Sequence, residues 1–207
     1  MTQIPGSLLV ISAPSGAGKT SLVRELLAAC PSFRLSVSFT TRAPRPGEVD
    51  GQHYLFVDRA GFERRRTEGE FLEWAEVHGN LYGTSRRWVA EQLAGGADLL
   101  LEIDYQGAAQ IRSAFPDAVT VFVLPPSREA LAERLRTRDQ DSDEVIQRRL
   151  AAASEEMTHA AEFEYVIVNQ EFAVASLELV SIARAARLRT HKQRARKAAL
   201  FGRLGVR

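Results

Sequence analysis

The 207-residue sequence holds a single cysteine, Cys30. One thiol forms no internal disulfide and no cysteine-based zinc site, so a reducing cytoplasm is the expected compartment. The apolar run at 8–13 falls far short of the ~20 residues a membrane span requires. No basic stretch leads into a cleavable apolar segment at the N-terminus. Histidine is scarce too: His53, His78, His159 and His191 are scattered without metal-ligand spacing and are expected to be structural or surface residues. Acidic side chains are missing from the C-terminal end. After Glu178 there are nine Lys/Arg and no Asp/Glu, whereas residues 1–178 carry eighteen basic against twenty-six acidic groups, a net of −8. Such a tail could contact nucleic acid or phospholipid. Its charges lack the aromatic interleaving of a stacking platform, so a solvated basic helix face is the preferred reading. Neither nucleic acid nor a membrane is an expected partner, and oligomeric state is left open.

The remaining composition, 45% hydrophobic and 26% charged, is that of a globular chain able to bury a sizeable core. Residues 7–13 read as a buried strand and 19–29 as a helix stopped by Pro31. The alternating, Ser/Thr/Val-rich segment 34–42 reads as one strand, and 43–58 as turns followed by a short strand. A charged helix is expected at 59–68 and another at 85–94. From 97 onward aliphatic strands (97–104, 118–124 and "EYVIVN") alternate with helices near 107–114, 127–138, from the polar segment 139–143 to about 161, and over 171–199. That alternation predicts an α/β fold with a parallel sheet flanked by helices. Segment 34–84 breaks the rhythm and reads as an inserted subdomain.

"LLVISAPSGAGKTSLV" (8–23) places a strand, a small-residue loop and a helix in the register of a P-loop. Gly16 and Gly18 let backbone approach phosphate oxygens, and the helix N-terminus adds partial positive charge. Lys19 can reach the β- and γ-phosphates, and the Thr20 hydroxyl can ligate Mg²⁺. Pro14, Ser15, Ala17 and Ser21 complete the candidate nucleotide-binding loop. Ala13 stands where a first glycine is usual, which the loop tolerates if φ there is negative. Further on, Arg42 and Arg45 lie three apart beside Ser38, with Tyr54, Glu73, Tyr82 and Thr84 downstream. Paired guanidinium groups with hydroxyl donors suit a phosphate. Phe71 and Trp74 are expected in the core. In "LLLEID", Glu102 and Asp104 are expected on one side of a strand, with Asp104 at its C-terminal end, where α/β sheets bind ligands.

The blocks "APSGAGKTSL", "SVSFTTRAPRPGEVDGQHY", "GEFLEWAEVHGNLYGTS", "LEIDYQGA", "PPSREALAERLRTR" and "VIVN" resemble, in order and spacing, the guanylate kinase family over roughly residues 6–195. "RAARLRTHKQR" resembles its bacterial form. The resemblance implies a P-loop kinase core (about 1–33, 85–135 and 150–207), a GMP-binding subdomain (34–84) and a lid (136–149). It implies transfer of the γ-phosphoryl group of ATP to GMP or dGMP, with Mg²⁺, in purine nucleotide metabolism. Ser38, Arg42, Arg45, Tyr54 and Tyr82 resemble the ligands of the GMP phosphate. Glu73 and Thr84 resemble the guanine readers, and Glu102 an acidic guanine-side position. Asp104 is implied to act on Mg²⁺ directly or through water. Arg134, Arg138 and Arg149 resemble lid arginines, and Asn169 a position near the adenine. Thr137 and Asp139 stand where family members often have glycine, and Phe39 where relatives often have a polar residue. A guanylate-kinase-like scaffold that holds a phosphopeptide is disfavoured by the complete P-loop. A kinase for another phosphorylated acceptor is disfavoured by the Glu73–Thr84 pair.

Overall fold

A computed structural model describes residues 5–138 and 143–206. Five strands, β1 (Leu8–Ser12), β2 (Phe33–Leu35), β7 (Asp98–Glu102), β8 (Val119–Leu124) and β9 (Tyr165–Val168), form an all-parallel sheet ordered β2-β7-β1-β8-β9. Central β1 is buried along its whole length. Leu9 and Ile11 face a core built with α1 (Lys19–Ala29) and α7 (Phe172–Leu188). Leu8 and Val10 face the opposite core, with α3 (Arg86–Ala94) and α4 (Tyr105–Ala114). Burial on both faces is why the strand reads as an unbroken aliphatic run. Because β1 lies between two later strands, the crevice at its carboxyl end is where such sheets bind ligands.

A second sheet holds β3 (Phe39–Thr40), β4 (Leu55–Phe56), β5 (Phe71–Val77) and β6 (Asn80–Ser85) in the order β4-β3-β6-β5. The single strand expected over 34–42 is therefore two. β2 pairs with β7 in the parallel sheet and β3 pairs with β6 in the other, so the chain crosses between sheets around Ser38. Helix α2 (Arg59–Thr67), capped by the Asp58 carboxylate accepting from Gly61 N–H, covers this sheet with Phe62. Phe71 is buried as expected, but Trp74 is 37% exposed beneath the Arg66 guanidinium, 4.6 Å from its ring centroid. Phe39 packs edge-on against Phe71 and under Arg65, which accounts for an aromatic residue there.

Helix α5 (Arg128–Arg138) and α6 (Asp143–Thr158) pack together through Leu131, Leu135 and Ala153, and a 3₁₀ turn, His159–Glu162, follows. Of the two lid departures, Thr137 lies on α5 and its hydroxyl donates to Glu133 C=O; Asp139 lies outside the described residues.

The helix expected over 171–199 is broken at Arg189 (φ −52°, ψ 134°), giving α7, α8 (Thr190–Arg196) and α9 (Ala198–Arg203). Nor is the basic tail a merely solvated face. Arg187 and Arg196 both bind the buried Asp98 carboxylate, which also accepts from Ser7 N–H. Lys192 donates to Gly6 C=O, and Arg189 to Asp117 C=O and the Glu164 carboxylate. The break at Arg189 carries Lys192 and Arg196 back to Gly6 and Asp98, at the starts of β1 and β7.

Candidate active site

The P-loop emerges at the carboxyl end of β1 as the register predicts. Gly16 (φ 91°) and Gly18 (φ 97°) take left-handed conformations. His78 is the one non-glycine residue with positive φ among the described residues, so Ala13 has none, as its substitution requires. A Cβ on Gly18 would collide with Asn169 Nδ2. Asn169 is buried, donates to Ala17 C=O at 2.8 Å and so braces the loop from beneath. Helix α1 begins without a side-chain cap, leaving its first N–H groups open to an anion. Lys19 Nζ rests on Ile103 C=O at 3.1 Å, and Thr20 Oγ1 donates to Glu102 Oε1 at 2.8 Å.

Two arginines from the α5–α6 pair reach the loop. Arg134 donates to Asn169 C=O and, at 3.5 Å, to Ala17 C=O; Arg149 donates to Ser15 Oγ at 3.0 Å. Arg138 ends α5, and its side chain lies outside what is described. The loop lines a cleft of about 630 Å³, within the usual range of small-molecule sites. Ala13 to Gly16, Gly18 to Ser21, Arg45, Tyr54 and Asp104 all face it. Ala17 is buried beneath, and neither its side chain nor that of Asn169 lines the cleft. Glu156 on α6 also lines it, its carboxyl raised above the usual range by burial; no signal in the sequence pointed to it.

Asp104 is not on the strand. β7 ends at Glu102, and Asp104 (φ −85°, ψ 177°) is the N-cap of α4, its Oδ1 accepting from Gly107 N–H at 2.9 Å. It still faces the cleft, but as a helix cap rather than as the strand-mate of Glu102.

Across the cleft, Arg42 is held by Glu48 Oε1 at 2.8 Å, and the other carboxylate oxygen accepts from Arg45 N–H at 2.7 Å. These two partners keep the Glu48 carboxyl below its ordinary range, with the Arg42 hydrogen bond the larger influence. Glu48 was not singled out by sequence reasoning, because nothing in a Pro/Gly-rich turn tells which acid folds back. The Arg42 guanidinium lies 5.3 Å from the Tyr54 ring centroid, and the Tyr54 and Tyr82 rings are 6.0 Å apart. Ser38, Arg42, Arg45, Tyr54, Tyr82 and Glu102 line this common pocket beside Thr20.

Between the two lies a narrow slot of about 180 Å³ that contains Lys19, Ser38, Tyr54, Glu73, Tyr82, Glu102 and Asp104. β5 is bulged between Phe71 and Glu73, so Glu73 pairs with Thr84 and turns inward. Glu73 is 3% exposed and Thr84 fully buried; the hydroxyl donates to Glu73 Oε1 at 2.5 Å and lies 3.4 Å from Ser38 Oγ. Burial raises the Glu73 carboxyl from its ordinary 4.5 to about 7, against the opposing Thr84 hydrogen bond.

The family model for guanylate kinase matches residues 6–186. A curated guanylate kinase from Chromobacterium violaceum is 55% identical over 206 residues, covering 100% of this chain and 98% of the relative. One from Aromatoleum aromaticum is 58% identical over 198 residues, covering 96% and 97%. The crystal structure of guanylate kinase from Anaplasma phagocytophilum superposes with a TM-score of 0.78 at 35% identity, covering 98% of this chain and 97% of that one. Matches of this extent, over a fold and cleft that agree with them, make the chain a member of the guanylate kinase family of phosphoryl-transfer enzymes.

Proposed function

We propose that this protein transfers the γ-phosphoryl group of ATP to GMP, and more slowly to dGMP, yielding ADP and GDP in cytoplasmic purine nucleotide metabolism. The reading rests on one observation: a P-loop lysine and the buried Glu73 carboxylate, itself held by the Thr84 hydroxyl, line the same slot. Glu73 accepts from guanine N1–H and N2–H₂ together. Adenine would turn a lone pair at N1 toward the same carboxylate, and an unpaired buried contact discriminates strongly. Arg42, Arg45, Ser38, Tyr54 and Tyr82 hold the acceptor phosphate, with Thr84 beside the base and Glu102 on the guanine side. The segments 34–84 and 136–149 act as the acceptor-binding subdomain and lid on the remaining core.

The acceptor is already a phosphate oxyanion, so neither a general base nor a covalent nucleophile is needed. The chain's work is alignment and charge neutralisation, by the loop amides, Lys19, Arg42 and the arginines 134, 138 and 149. Arg134 and Arg149 already contact the loop or its support, which suits groups that close over phosphates and exclude water. Thr20 Oγ1 and Asp104 face the same cleft and make an oxygen-only donor set that fits Mg²⁺. Among the described residues no cluster of three or more His, Cys, Asp or Glu could hold a metal alone, which suits an ion carried largely by nucleotide phosphates. Thr20 and Asp104 would hold it, Asp104 directly or through water, and bound there it would neutralise phosphate charge. No helix among the described residues is long and apolar enough to cross a membrane.

The test is an acceptor panel with a coupled ADP readout and Mg-ATP. GMP is turned over fastest and dGMP more slowly, while AMP, CMP and UMP are poor. ADP formation with GMP no faster than background would overturn the reading.

A further inference from the structure

Gly107 lies within the first turn of α4, where glycine is a poor helix former. It is not among the residues with positive φ, so its backbone conformation does not demand glycine. Space does. A Cβ at 107 would collide with Glu73 Oε2 and stand 3.3 Å from Asp104 Oδ1. The Glu73 carboxylate cannot retreat freely, because Thr84 holds Oε1 from the other side at 2.5 Å.

Nor can α4 withdraw at no expense. One turn along, Gln110 Nε2 donates to Trp74 C=O at 2.7 Å, and Gln110 Oε1 accepts from Trp74 N–H at 3.2 Å. β5 is an edge strand, and Gln110 satisfies both peptide groups of the residue next to Glu73 as a neighbouring strand would. The Gly107 N–H is meanwhile bound by Asp104, so the turn that backs Glu73 also carries the acid at the phosphate end of the cleft.

We propose that the α4 face formed by Gly107 and Gln110 determines acceptor-base specificity by orienting the Glu73 carboxylate. Gly107 leaves the space the carboxylate occupies, and Gln110 fixes how far α4 stands from β5. Both are positioning residues that act through Glu73. The inference rests on the proposed role of Glu73 as guanine reader. A carboxylate must present both oxygens in one plane to two adjacent N–H groups, and displacement on the order of 1 Å can lower a rate about 100-fold.

The experiment compares the parent, Gly107→Ala, Gln110→Leu, Glu73→Gln and the Gly107→Ala/Glu73→Gln pair, with GMP, IMP and AMP as acceptors and ATP varied separately. IMP keeps N1–H but lacks the 2-amino group. In Gly107→Ala, kcat/KM for GMP falls about 100-fold, mainly through KM, while KM for ATP stays within about twofold. The GMP/IMP preference narrows. Gln110→Leu shifts both quantities in the same direction by a smaller factor. Adding Gly107→Ala to Glu73→Gln changes acceptor preference little further, because the group it displaces is already disabled. Parental GMP kinetics and GMP/IMP preference in folded Gly107→Ala overturn the inference, as does full additivity in the pair. If Gly107→Ala does not fold, Gln110→Leu decides alone, and unchanged acceptor preference there overturns it. A parent that phosphorylates no GMP overturns the functional reading instead.

Discussion

Glu73→Gln is expected to strengthen the fold while weakening the reaction, and the size of the first effect follows from burial. The Glu73 carboxyl is raised from 4.5 to about 7 because the charged form loses its hydration in the slot. A carboxyl raised in the folded state binds more protons there than in the unfolded chain. Its contribution to stability is therefore fully present below about pH 4.5 and is lost as pH rises through about 7. A shift of this size corresponds to roughly 3 kcal/mol, of which about 2 kcal/mol is lost between pH 5.5 and 8.5. Glutamine has nearly the same shape, still offers an oxygen to the Thr84 hydroxyl and carries no charge to bury. Urea unfolding of both proteins across that range should show the variant gaining on the parent as pH rises, by about 2 kcal/mol. The same amide presents N–H toward one guanine donor, so kcat/KM for GMP should fall by at least about 100-fold and the preference over AMP should shrink. A stability difference that stays constant from pH 5.5 to 8.5 would refute the assignment of the strain to a buried carboxylate. In the parent, KM for GMP should rise as pH falls below about 7, where the empty site holds the neutral acid.

Lys19→Ala should lower turnover by at least about 100-fold with an unchanged unfolding midpoint, because the side chain lies in the cleft and makes one hydrogen bond; near-parental turnover would remove its role. Glu48→Gln keeps an acceptor but loses the charge that holds Arg42, so KM for GMP should rise about fivefold, near 1 kcal/mol, with KM for ATP unchanged. A fall in KM would mean that Glu48 competes with the phosphate for Arg42. Asp98→Asn leaves Arg187 and Arg196 around a neutral group in a buried position, and chemical denaturation should show a loss of about 3 kcal/mol. A loss well under 1 kcal/mol would show that the C-terminal clasp contributes little.

Short-range chemistry is what could be read ahead of the structure. The P-loop is legible because its glycines, lysine and threonine are contiguous and its conformation is local. The central strands of the parallel sheet are legible because strands buried on both faces must be aliphatic throughout. The arginine and tyrosine cluster around Ser38 could be anticipated as a set, though not the Glu48 fold-back that holds Arg42 in place. The misreadings share a cause. Trp74 looked like core and is exposed, Asp104 looked like the end of a strand and caps a helix, and the tail looked solvated yet clasps Asp98. Each depends on which distant segment arrives at that spot.

The sequence alone could set where phosphate binds, since backbone geometry over a few residues is fixed by glycine and by the strand and helix on either side. Tertiary structure decided how the proposed base site is built. A bulge turns Glu73 inward, Thr84 comes from the next strand, and Gly107 comes from a helix of the other sheet's layer. Burial is a property of the assembled surroundings, and only those surroundings raise an ordinary carboxyl to about 7 and fit it for the proposed role of base reader.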